Sequence, residues 1–226
     1  MSRNLTLGCS FTQSIKGNYS LSVYPNPKQM GLSGMTNDMM FKAFLKNKKV
    51  FFESDACLIQ MTTPYRFELW NKDLEVSMVD VLYDQLPSFF SEGKYVEMNP
   101  IQIWMKSIWL FQYMIEDLLR NSVEVIFLPY MFRFEQSKKP YLFEKNFKFS
   151  INDIKEMFPK NKLLTISEHN PWHYYEHGGE EESWIQPEFT KHRWWLMGNN
   201  YYVRHDHLSE HQHELCAHNI LKDKDI

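Results

Sequence analysis

The chain has 226 residues, of which 43% are hydrophobic and 23% charged, and its 25 basic residues against 28 acidic ones leave a formal net charge of −3. That length suits a single domain, residues 1–226, which buries most of the surface its unfolded form would expose. The near balance of charge excludes the basic footprint of a nucleic-acid or anionic-membrane binder, so a neutral or apolar small molecule is the easier ligand.

Taken in chain order, Asn4-Leu5-Thr6-Leu7 reads as a short buried strand, and Gly8 permits a sharp turn after it that would lift Ser10 off the strand's carboxyl end. Residues 13–33 are polar and rich in Gly, Pro, Ser and Asn, which predicts a long loop. Asn37-Asp38 then supplies an N-terminal cap for a short helix through Met39, Met40, Phe41, Phe44 and Leu45, whose spacing places most of its apolar groups on one face. Ala56 through Met61 reads as a second buried strand, and residues 71–98, broken by Pro87 and Gly93, as an insertion or helical excursion near the rim. Asn99-Pro100 opens the clearest helix, since proline suits a first helical position and residues 101–119 are strongly apolar. Val123–Leu128 follows as a β-branched strand, Ser150-Ile151-Asn152-Asp153 begins a short helix, and Leu163–Ile166 makes another strand. A long aromatic loop spans 168–207, and Ser209 is placed to cap a C-terminal helix that the apolar positions Leu208, Leu215, Ile220 and Leu221 lay on the core by one face.

Strands alternating with helices predict an α/β fold, a three-layer α/β/α sandwich around a mainly parallel sheet. Right-handed crossovers would gather the strand ends that carry Ser10, Thr62 and the 129–135 loop along one edge, where open α/β sheets bind ligands. Cys9, Cys57 and Cys216 all fall in apolar surroundings, which points to buried free thiols and a reducing compartment. The first residues form no long apolar stretch, and no run reaches the roughly 18 apolar residues of a membrane span. The expected protein is soluble and cytoplasmic with no membrane partner, incorporation in a virus particle staying open.

A serine lifted from a strand end becomes a nucleophile only beside a general base. His207, just ahead of the Ser209 cap, would stand in a loop above the sheet and within reach of the first strand's exit. The pairing of Gly8-Cys9-Ser10-Phe11-Thr12 with His207-Leu208-Ser209 and a second histidine, His213, resembles the SGNH hydrolases, also called the GDSL esterase/lipase superfamily. Gly34-Met35-Thr36-Asn37-Asp38 falls where that superfamily carries its second block, and Leu58 through Arg66 where the third block ends a central strand.

The resemblance implies a flavodoxin-like sandwich and cofactor-free hydrolysis of an acyl ester. Ser10 would be the nucleophile, His207 the base, and the backbone amides of Ser10 and Gly34 the oxyanion hole. The chain also departs from the family pattern. No asparagine follows Ile59, where Gln60, Thr62 and Thr63 stand instead, and Gln212 replaces the usual glycine before the second histidine. The family's acidic partner lies two or three residues before the base, positions held here by His205 and Arg204, while Asp206 is directly adjacent. Neighbouring residues seldom face each other, so a Ser-His dyad or a backbone carbonyl partner stands beside Asp206 as an alternative.

Asn37 has two readings, a helix cap or the missing side-chain donor to the oxyanion, and one short amide does not serve both fully. Thr62 and Arg66 are candidate substrate contacts at the third-block strand end, with an ordinary ion pair as the other role for Arg66. The 168–207 loop carries Trp172, Tyr174, Tyr175, Trp184, Trp194, Trp195, Tyr201 and Tyr202. Aromatic faces of this kind pack a loop onto a sheet or stack on sugar rings, which suggests an O-acetyl group on a carbohydrate as one substrate. Two histidine groups, His169, His173 and His177, and His205, His207, His211 and His213, invite a metal reading, yet Asn170-Pro171 breaks the first group and no H-E-x-x-H spacing occurs, so no metal is expected. The rival to the hydrolase is a non-catalytic member that keeps the fold as a binding or structural module.

Overall fold

The computed structural model describes residues 3–9, 12, 23–24, 26–31, 35–62, 66–70, 76–80, 100–131, 149–171 and 210–224, with backbone alone for 66–70, 76–80, 100–101 and 210–212. Five strands, β1 (Asn4–Leu7), β2 (Lys28–Gln29), β3 (Ala56–Gln60), β6 (Glu124–Leu128) and β7 (Leu164–Ile166), form an all-parallel sheet in the order β2-β1-β3-β6-β7. The registers run Leu5 to Lys28, Leu7 to Ile59, Ile59 to Phe127 and Phe127 to Ile166. Strand order reverses at β1, so the crevice beyond the carboxyl ends of β1 and β3 is the topological switch point where doubly wound sheets take their ligands.

The helices are α1 (Asn37–Lys46), α2 (Lys48–Phe52), α3 (Pro100–Arg120), α4 (Ile151–Glu156) and α5 (Glu210–Lys224). Every third or fourth residue of α3, from Trp104 through Ile108, Phe111, Ile115 and Leu118, is buried, which is the stripe that fixes this long helix to the sheet. Phe127 of β6 meets Phe111 at 5.6 Å and Phe158, just after α4, at 5.2 Å between ring centroids. Glu124, an odd number of positions away on the same strand, accepts from the Tyr24 hydroxyl at 3.2 Å and pairs with Lys224 of α5 at 2.7 Å. Side chains alternate along a strand, so α3 and α4 cover one face while α5 covers the other. The three-layer α/β/α sandwich is thereby complete.

Several details differ from the sequence expectations. β2 lies within the polar 13–33 stretch; its ladder to β1 needs only main-chain groups, which a two-residue exposed edge strand supplies without any apolar signal. Within the 71–98 stretch, Val76–Asp80 is a strand, β5, antiparallel to β4 (Arg66–Trp70), so that part is a hairpin rather than a helical excursion. Thr36, with an extended backbone, caps α1 by accepting from Met39 N at 3.1 Å, and Asn37 is already the first helical residue. The helix starts expected at Ser150 and Pro100 stand where anticipated: Ser150 forms a reciprocal capping box with Asp153, and Pro100 is the first residue of α3. Ser209, the expected cap of α5, lies outside the described residues.

All three cysteines are buried and free. Burial pushes the Cys57 and Cys216 thiols well above their ordinary range, so both stay protonated and unreactive. Among the described residues no helix is long and apolar enough to cross a membrane.

Candidate functional site at the carboxyl edge of the sheet

At the β1 exit the backbone of Gly8 lies against that of Gly31, just past β2. A methyl group on Gly31 would collide with Gly8 O and stand 2.7 Å from Gly8 N. A methyl group on Gly8 would instead stand 2.5 Å from Thr12 Cγ2 and 3.2 Å from Gln60 Cβ. Gly31 is therefore required for this crossing of chains, and Gly8 for the close fold of the turn against Thr12, independently of any strained dihedral. Beyond it, Cys9 O accepts from both Thr12 N (3.0 Å) and Thr12 Oγ1 (2.7 Å), and Gln60 Nε2 donates to Cys9 Sγ at 3.3 Å. The turn after β1 is thus tied to its own next residues and to the end of β3.

The β3 exit is held more tightly still. Met61 N donates to Leu128 O at 2.9 Å, and Met61 O accepts from Asn170 Nδ2 at 3.0 Å. Thr62 N donates to Asn37 Oδ1 at 2.9 Å, and Thr62 O accepts from Asn37 Nδ2 at 3.1 Å. The Asn37 amide therefore pairs with the Thr62 backbone as a neighbouring strand would, and Nδ2 also donates to Ser107 Oγ of α3 at 3.3 Å. On the other side, Asn170 Nδ2 bridges Met61 O and Leu128 O (2.7 Å), joining the ends of β3 and β6. Trp104 Nε1 donates to Tyr130 O at 2.7 Å, which anchors the β6 exit to α3.

Asn37 and Thr62 are the sequence-predicted site residues that the structure brings together, and the contact is a main-chain clamp. Capping of α1 falls to Thr36, and the oxyanion role of Asn37 would require Nδ2 to give up Thr62 O or Ser107 Oγ. Arg66 opens β4 in register with Asp80, at backbone level. Ser10, Gly34, Asp206 and His207 lie outside the described residues. Of the two histidine groups, His169 and His213 have described side chains. Burial lowers the basicity of His169, whose Nε2 stands 3.9 Å from Asp223, and His213 shares the buried face of α5 with Cys216, Ala217 and Ile220. Asn170, Ser107 and Gln60 emerge as edge residues that sequence reasoning missed. Their partners lie 42 to 109 residues away, and an Asn-Pro pair or a buried glutamine carries no local mark of such bridging.

Asn37→Asp is expected to destabilise the fold by about 2 to 4 kcal/mol in urea unfolding, because a carboxylate keeps the acceptor for Thr62 N but sets an oxygen against Thr62 O and leaves both buried. A melting curve matching that of the unmodified protein would show that the clamp contributes nothing.

The order of the strands and the clamped exits define an α/β protein of the doubly wound class, with the order β2-β1-β3-β6-β7 and its topological switch point at β1 and β3. No protein-family model and no curated protein matches the chain.

Proposed function

We propose that the chain is a serine hydrolase of the SGNH type that cleaves a small acyl ester, an O-acetyl group on a carbohydrate being the favoured substrate. The single observation that carries this reading is the glycine-enforced turn of Gly8 and Cys9 at the switch point of the sheet, with Ser10 next in the chain. A hydroxyl at that edge, on a turn held by Thr12 and Gln60, suits a nucleophile.

In this mechanism Ser10 Oγ attacks the ester carbonyl carbon as His207 takes its proton, and the carbonyl oxygen becomes an oxyanion held by the amides of Ser10 and Gly34. Collapse breaks the bond to the alkoxide, which leaves with the proton from His207. Water, deprotonated by His207, then attacks the acyl-enzyme and releases the acid and free Ser10. Asp206 or a backbone carbonyl would orient the imidazole, and Arg66 would contact the substrate. The aromatic residues of 168–207 supply the case for a sugar. Incubation with p-nitrophenyl acetate and with an O-acetylated sugar tests the reading through acetate release, together with mass shift at Ser10 on treatment with a fluorophosphonate. Absence of both release and labelling would favour the non-catalytic module, which the engaged Asn37 amide also supports.

A further inference from the structure

The β3 exit has spent its backbone. Both main-chain polar groups of Met61 and both of Thr62 are bonded, to Leu128, Asn170 and Asn37, so no amide of these two residues is left to stabilise charge on a ligand. One polar group of the exit remains. Thr62 is fully buried, and its hydroxyl oxygen has no hydrogen-bond partner among the described residues. Buried hydroxyls are almost always bonded, because leaving one unmade forfeits its hydration with no return. Valine would fill the same space without that cost. The other such hydroxyl among the described residues, Thr6 Oγ1, belongs to the interior of β1, flanked in the ladder by Gln29 and Leu58, and not to a strand exit.

We infer that the Thr62 hydroxyl is the side-chain oxyanion donor of this site, in the place of the asparagine that the third block lacks. The inference rests on the hydrolase reading and deepens it. The two asparagines then act as positioning residues: the Asn37 clamp and the Asn170 bridge fix the Thr62 backbone, so that the hydroxyl has little freedom to lose when a charged oxygen arrives. A hydroxyl can donate one hydrogen bond to an oxyanion, and the carbonyl it waits for carries full negative charge only in the tetrahedral state, so the bond strengthens as the reaction proceeds.

The test compares Thr62→Val and Thr62→Ser with the unmodified protein. With p-nitrophenyl acetate, Thr62→Val is expected to lose roughly 100-fold in kcat with KM nearly unchanged, while its Tm stays level or rises because an unmet buried hydroxyl has gone. Thr62→Ser, which keeps the hydroxyl, is expected to retain most of the turnover. A hydroxyl with a purely structural role gives the opposite pattern: Tm falls in Thr62→Val and turnover per folded molecule is unaltered, which overturns the assignment. Fluorophosphonate labelling separates the two levels of the argument. If the unmodified protein labels at Ser10 and Thr62→Val labels equally fast, the donor assignment alone fails; if the unmodified protein does not label at all, the hydrolase reading fails and takes the donor with it.

Discussion

Ser10→Ala is expected to abolish covalent labelling by a fluorophosphonate and to leave the melting temperature within about 1 °C, since loss of one hydroxyl on a turn removes little buried surface. His207→Ala is expected to lower turnover of p-nitrophenyl acetate by on the order of 1000-fold or more, because a serine without its base attacks only as the rare alkoxide. The two losses should not multiply in the double variant, as nucleophile and base act in one step. Undiminished labelling of Ser10→Ala would place the nucleophile elsewhere. A larger loss from His205→Ala or His211→Ala than from His207→Ala would show that the base is a different histidine of the C-terminal segment.

Gly31→Ala is expected to be the most damaging single methyl addition in the described part of the sheet. The new carbon would meet the Gly8 backbone, with the Gly8 carbonyl carbon 2.8 Å away, and backbone has no rotamer through which to yield. Separating the chains would weaken the β1–β2 pairing and shift the turn that precedes Ser10, at an expected cost of about 3 kcal/mol or more in urea unfolding. Gly8→Ala makes the instructive comparison. Its nearest obstacles are side-chain atoms of Thr12, so adding Thr12→Ala should recover part of the stability lost in Gly8→Ala and none of that lost in Gly31→Ala. If Gly31→Ala melts like the unmodified protein, the close crossing of Gly8 and Gly31 is not a feature of the folded state.

Much of the fold was legible because its signals are local. The apolar runs at 4–7, 56–60 and 124–128 are buried strands and that at 164–166 a half-buried one, the proline at position 100 opens the helix whose apolar stripe faces the sheet, and Ser150 caps where a serine followed three residues later by an aspartate should. The elements that escaped notice have weak local signals. β2 is two exposed polar residues that become a strand only because β1 offers an open edge, and among the described residues β4 and β5 pair with each other.

The same division runs through the site. Residue types and their order along the chain, a glycine turn before Ser10, an asparagine at 37, threonines after the third strand and histidines near the end, determined which chemistry to consider and that the fold is a parallel α/β sandwich. Only the tertiary structure decided what several of those groups are doing. It put the reversal of strand order at β1, turned Asn37 from cap into clamp, leaving the capping to Thr36, and set Asn170 across two strand ends. It also left the Thr62 hydroxyl buried with no partner among the described residues. A side chain's intrinsic donors and acceptors are written in its residue type, whereas which of them is already satisfied depends on backbone groups brought from as much as 109 residues away, and that matching exists only once the sheet has closed around them.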